Sequence, residues 1–125
     1  MVSSLILGIL WVFWHTPLFF FKDTIMYNMG FLSLTFWEFI ITTTCTAVYV
    51  TRIFNNANNN TLSGIFWHAS ANGWAALFTL TALTAHYLVV LWILAVIAIA
   101  IKWGPETLMG KGTTFQSLYP QKDAK

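Results

Sequence analysis

Two histidines lie far from any charged neighbour. His15 sits in FWHTP (residues 13–17) and His68 in FWHAS (residues 66–70), each inside an apolar run. An ionisable ring in hydrocarbon is unfavourable and marks a functional position by default. Asn72 follows His68 by four residues, so the two share one helical face. Trp11 precedes His15 by the same interval, which lets its indole wall off the imidazole. Pro17 removes the backbone bond to Phe13 and is expected to kink the helix beside His15, freeing a carbonyl. The blandest use of such a histidine is a hydrogen bond to a neighbouring helix, worth about 1 kcal/mol. Haem ligation by His15 and His68 in a four-helix bundle is another, although Asn72 adds nothing to it. A divalent metal such as zinc would fall to His15 and His68, which supply only part of the three or four ligands it needs.

The composition says where these residues reside. Of 125 residues, 58% are hydrophobic and only 8% charged, against roughly 25% charged in an ordinary soluble domain. With four long apolar runs, this points to an all-α, polytopic transmembrane bundle of about four spans. A net charge of +2, scattered along the chain, excludes a nucleic-acid groove, and lipid is the expected surrounding. The lone Cys45 sits in an apolar run and offers neither a disulfide nor a CxxC site. The N-terminus has no basic lead and no small-residue cleavage pattern, so its first apolar run reads as a retained helix. A membrane helix with so little polar sequence before it raises the expectation of a further segment upstream.

Four helices must position the polar residues. The first is expected over Ser4–Phe21, ended by Lys22–Asp23, with a loop through Gly30. The second runs over Phe31–Thr51, broken in character only by Glu38 and Thr42–Thr44, and a polar loop follows from Arg52 to Asn60. The third, Thr61–Leu80, is rich in the small residues that let membrane helices approach. The fourth, Ala85–Ile101, ends in Lys102–Trp103 at an interface. Residues 1–103 thus form the membrane domain and 104–125 a loose polar tail. Arg52, Lys102, Lys111, Lys122 and Lys125 fall on one side and Lys22 on the other. The positive-inside rule places both termini in the cytoplasm of a multi-pass protein, in the inner membrane if the cell is bacterial.

Under this topology the first and third helices run the same way. His15 lies about 16 Å deep, and His68 and Asn72 about 10 and 16 Å deep, so all three can meet. Glu38 lies about 10 Å from the opposite surface, beyond the histidines. It reads as a polar packing contact with Thr42, with a catalytic carboxylate as the alternative. His86 reads as a wet histidine near a helix end, and Tyr87 and Trp103 as belt residues at opposite interfaces.

These motifs have a family likeness. GILWVFWHTPLFF resembles the F-x-x-x-H motif of the CAAX protease and bacteriocin-processing (CPBP) family of intramembrane endopeptidases, with Trp11 in the place of Phe, then His15 and Pro17. GIFWHASANGW resembles the H-x-x-x-N motif of the same family through His68 and Asn72. VYVTRIFNNANNNTLSG is similar to the intervening helix end and polar turn, and WGPETL to a common ending; together the likeness spans about residues 5–110.

The resemblance implies a polytopic helical fold that hydrolyses peptide bonds in peptides or prenylated proteins. It implies that His68 and Asn72 donate to an oxyanion and that His15 orients water; Glu38 and Trp11, read from their positions, are candidate accessory residues. The family's base belongs to an E-E-x-x-x-R motif one helix upstream, and no Glu-Glu pair occurs in this chain. The expectation is therefore a C-terminal piece completed by an upstream segment. The alternative is a non-catalytic membrane protein, such as a bacteriocin-immunity or peptide-binding partner.

Overall fold

A computed structural model describes residues 1–78 and 81–110 of the chain. Among the described residues every regular element is helical: α1 (Val2–His15), a 3-10 turn (Thr16–Phe20), α2 (Ile25–Met29), α3 (Leu34–Asn56), α4 (Thr61–Leu77) and α5 (Ala82–Trp103). The expected helices are all present with shifted ends, and α2 is an addition. Val2–Phe20 (19 residues) and Leu83–Trp103 (21 residues) are long and apolar enough to cross a membrane. Four spans were expected. α3 carries Glu38, its threonines and Arg52, and α4 has only 17 residues, so composition and length single out two.

Local chemistry sets the helix ends. Ser33 caps α3 by accepting from the Phe36 amide at 3.1 Å, which delays its start to Leu34. Asn60 caps α4 through Leu62 N–H at 3.0 Å, after Asn58 and Asn59 turn the chain with positive φ. Asparagine tolerates that conformation best among non-glycine residues. Thr81 caps α5 and moves its start to Ala82. Pro17 does not leave a free carbonyl. The helix tightens into the 3-10 turn, and Thr16 N–H is shared between the carbonyls of Phe13 and Val12.

α3 is the hub. α1, α2, α4 and α5 all pack on it. α1 runs antiparallel to α3, as Gly8 lies on Thr44, His15 beside Phe39 and Phe19 beside Phe36. α5 runs parallel to α3, pairing His86 with Glu38 at one end and Trp103 with Arg52 at the other. The crossing at Gly8 is tight, since a Cβ there would stand 2.8 Å from the Thr44 Cα and 3.3 Å from the Ala47 Cβ. Ser4, Gly8 and Val12 form the buried stripe of α1, a four-residue spacing on one helical face. The outer faces are apolar and open: Trp14 is 81% and Val2 72% exposed.

The segment after α5 is not loose as far as residue 110. Leu108 is fully buried in a cluster with Cys45, Val48, Val96 and Ile99. The Arg52 guanidinium donates to the Leu108 carbonyl and Asn55 Nδ2 to the Thr107 carbonyl, both at 2.6 Å. Arg52 also lies 3.6 Å over the Trp103 ring, with Lys102 at 4.6 Å. Trp103 is thus a platform for two cations. The remainder of the expected tail, 111–125, lies outside the described residues.

Gly8→Ala forces two backbones apart, whereas Gly73 has open space where its Cβ would stand. Denaturation in detergent is expected to show Gly8→Ala less stable by about 1–3 kcal/mol. Gly73→Ala should be neutral or slightly stabilising. Equal effects at the two sites would refute the tight crossing.

Candidate functional site

The register of α1 on α3 builds the site. From the Gly8–Thr44 crossing, seven residues along α1 reach His15, and five and six back along α3 reach Phe39 and Glu38. The His15 ring meets Phe39 at 5.7 Å between centroids. α4 runs parallel to α1 and brings the His68 ring to 5.2 Å from the Trp11 indole. One turn further on both helices stand His15 and Asn72. His15, His68, Asn72, Glu38 and Trp11 all line one cavity of ≈ 470 Å³, within the range typical of ligand pockets.

Hydrogen bonds fix both imidazoles. His15 Nδ1 lies 2.8 Å from the Trp11 carbonyl oxygen. A carbonyl only accepts, so Nδ1 carries the proton and the Nε2 lone pair of the neutral ring is left free. Asn72 Nδ2 lies 3.1 Å from His68 Nε2. With the amide nitrogen donating to Nε2, the His68 ring carries its proton on Nδ1, and Asn72 keeps a second N–H. The cavity therefore offers one imidazole acceptor and two N–H donors.

Trp11 serves both histidines, with its ring 6.3 Å from that of His15. Of the Phe and Trp residues in the two Phe-Trp-His stretches, Trp67 alone lines this cavity. Phe13, Trp14 and Phe66 point outward, and Trp67 packs on Trp92 of α5. An indole against both imidazoles also occupies room that a haem between them would need.

Glu38 corrects the expectation that it lies beyond the histidines in contact with Thr42. Thr42 Oγ1 bonds the backbone carbonyl of Glu38 at 2.8 Å, not its side chain. The carboxylate Oε1 instead pairs with His86 Nδ1 of α5, and Oε2 is buried without a partner. His86 is accordingly no free wet residue, although its side chain is 42% exposed against 14% for Glu38. Sequence spacing could not find this pair, which joins residues 48 apart on helices whose register was unknown.

A second cavity of ≈ 780 Å³ between α1, α3 and α4 is lined by Leu7, Thr51, Asn55 and Gly64, and again by His68 and Asn72. The His68–Asn72 pair thus stands between two spaces. Among the described residues no three of His, Cys, Asp and Glu come together to hold a metal ion. The zinc expectation for His15 and His68 finds no third ligand there. Comparison with protein-family models, curated proteins and solved structures returns no match for this chain.

The Trp11–His68 contact can be tested chemically. In a Cys45→Ala background, Trp11→Cys with His68→Cys should crosslink through a short bifunctional thiol reagent. The outward pair Trp14→Cys with Phe66→Cys should not. Crosslinking of the control alone would dismantle the cavity.

Proposed function

We propose that this chain is an integral membrane protein carrying the carbonyl-binding part of an intramembrane endopeptidase of the CAAX protease and bacteriocin-processing type. The observation that supports the reading most is the meeting of His15, His68 and Asn72 in one cavity. These are the residues that the resemblance assigns to water positioning and oxyanion binding. The substrate class is a peptide or a prenylated protein.

Peptide hydrolysis needs a base for water and donors for the tetrahedral oxyanion. The second N–H of Asn72 and the Nδ1–H of His68 would receive the oxyanion. The free Nε2 of His15 would accept from the attacking water and orient it. Apolar walls strengthen those donors, because charge interactions grow as the dielectric falls. The proton-accepting carboxylate comes from an E-E-x-x-x-R helix outside these 125 residues. Glu38, with Oε1 engaged by His86, serves another purpose. That engagement favours a second reading for the chain on its own: a peptide-binding membrane protein without hydrolysis.

The 125-residue chain alone should leave a peptide intact. Co-expression with a helix bearing E-E-x-x-x-R should restore cleavage in membranes, measured by mass spectrometry of the products. His68→Ala should then lower it by about 10²–10³-fold, the usual effect of losing an oxyanion donor. Cleavage by the chain alone would refute the division of labour. Binding without cleavage in both cases would favour the second reading.

Both termini are assigned to the cytoplasm from the distribution of Lys and Arg. Asn28 in α2 and Asn58 in the turn after α3 are both exposed and lie beyond opposite ends of α3. In intact cells carrying Cys45→Ala, an impermeant thiol reagent should label Asn28→Cys and spare Asn58→Cys. The reverse pattern would invert the topology.

A further inference from the structure

The site built on His15, His68 and Asn72 leaves one feature of its cavity unused. Glu38 is the single Asp, Glu, Lys or Arg among the residues lining it. One carboxylate oxygen is held by His86, and the other is shut away from solvent with no donor. A buried acceptor left unmet is destabilising, more so when charged. The last side-chain torsion of a glutamate is soft, so a small turn can present either oxygen to a donor in the cavity.

The surrounding walls suit a cation. Trp11, Phe39, Trp67 and Trp92 line the same space, with Met29, and aromatic faces attract ammonium groups. No Lys or Arg lines the cavity to oppose one. His68 Nε2 is engaged by the Asn72 amide, and His86 meets Glu38 without lining the cavity.

We propose that Glu38 is a cation subsite that receives the ammonium of a lysine side chain in a peptide seated in this cavity. The inference rests on the peptide-binding reading above and adds a substrate preference to it. The four-carbon lysine stem would lie along the apolar wall while its head meets the carboxylate. Arginine is disfavoured, because its bidentate fork needs both carboxylate oxygens and His86 holds one.

The test uses the full chain in lipid nanodiscs and three labelled peptides with one apolar sequence, bearing Lys, Arg or norleucine at one position. Fluorescence anisotropy is expected to show the Lys peptide binding about tenfold more tightly than the norleucine peptide, with Arg between. Glu38→Gln should erase that preference and leave the norleucine affinity within about twofold. On the unaltered chain, a membrane-permeant carbodiimide should couple the bound lysine amine to Glu38, as mapped by mass spectrometry. This second readout does not depend on the variant folding. Coupling at Asp23, Glu106 or Asp123 instead, or a Lys preference that survives in folded Glu38→Gln, would overturn the subsite. Equal binding of all three peptides would remove the subsite and keep the peptide-binding reading. No binding of any peptide would remove both.

Discussion

Everything in this molecule depends on how closely α1 can lie against α3. Helices in lipid gain little by merely hiding apolar surface from one another, so close van der Waals contact must hold them. Gly8 provides it, with Thr44 and Ala47 where a side chain would otherwise stand. The contact also fixes translation: once Gly8 sits on Thr44, His15 must arrive beside Phe39 and Phe19 beside Phe36. A slide of one helical turn, about 5.4 Å, would carry His15 past Glu38 and part Trp11 from His68. The geometry of the cavity is thus set by a residue that does not line it.

The second constraint is that the hub helix is also the most polar one. Thr42, Thr44 and Thr51 each return their hydroxyl to the carbonyl four residues earlier, at 2.7–2.8 Å. This satisfies the hydroxyls inside α3 and leaves methyl groups for packing. Arg52 cannot be satisfied that way, and the chain beyond α5 folds back to meet it with the Leu108 carbonyl and the Trp103 face. Glu38 borrows His86 from α5. The two charged residues at opposite ends of α3 therefore tie α5 along its length, and Leu108 is buried as a consequence.

Much of this was legible in the sequence. Apolar runs gave the four long helices, and the parallel run of the first and third gave the meeting of His15, His68 and Asn72. Those inferences rest on period and direction, which sequence carries well. What escaped is what depends on register between helices. The Glu38–His86 pair joins residues whose relative heights follow from packing alone. The segment at 104–110 looked polar and loose, but its carbonyls are the partners that Arg52 and Asn55 need. Thr81 was the missed start signal between α4 and α5, where the absence of Gly and Pro hid the break. Trp11 beside His15 was legible from the four-residue spacing, whereas its reach to the His68 ring on another helix was not.

The cavity divides its polar groups by what they can still do. Asn72 and His68 satisfy each other with one bond and keep an N–H each, so they remain donors. His15 donates its Nδ1–H to the Trp11 carbonyl and keeps Nε2 as an acceptor. Glu38 has one oxygen bound and one waiting. Donors, an acceptor and a charge thus face one apolar space without cancelling one another, because each is anchored to a partner outside the set or within its own helix. His15 Nδ1 is taken by the Trp11 carbonyl and Glu38 Oε1 by His86, so these two atoms do not pair with each other. A guest with a carbonyl and an ammonium would find a complement for each. Hydrolysis asks for one thing more, a carboxylate free to take a proton from water, and binding asks for nothing more.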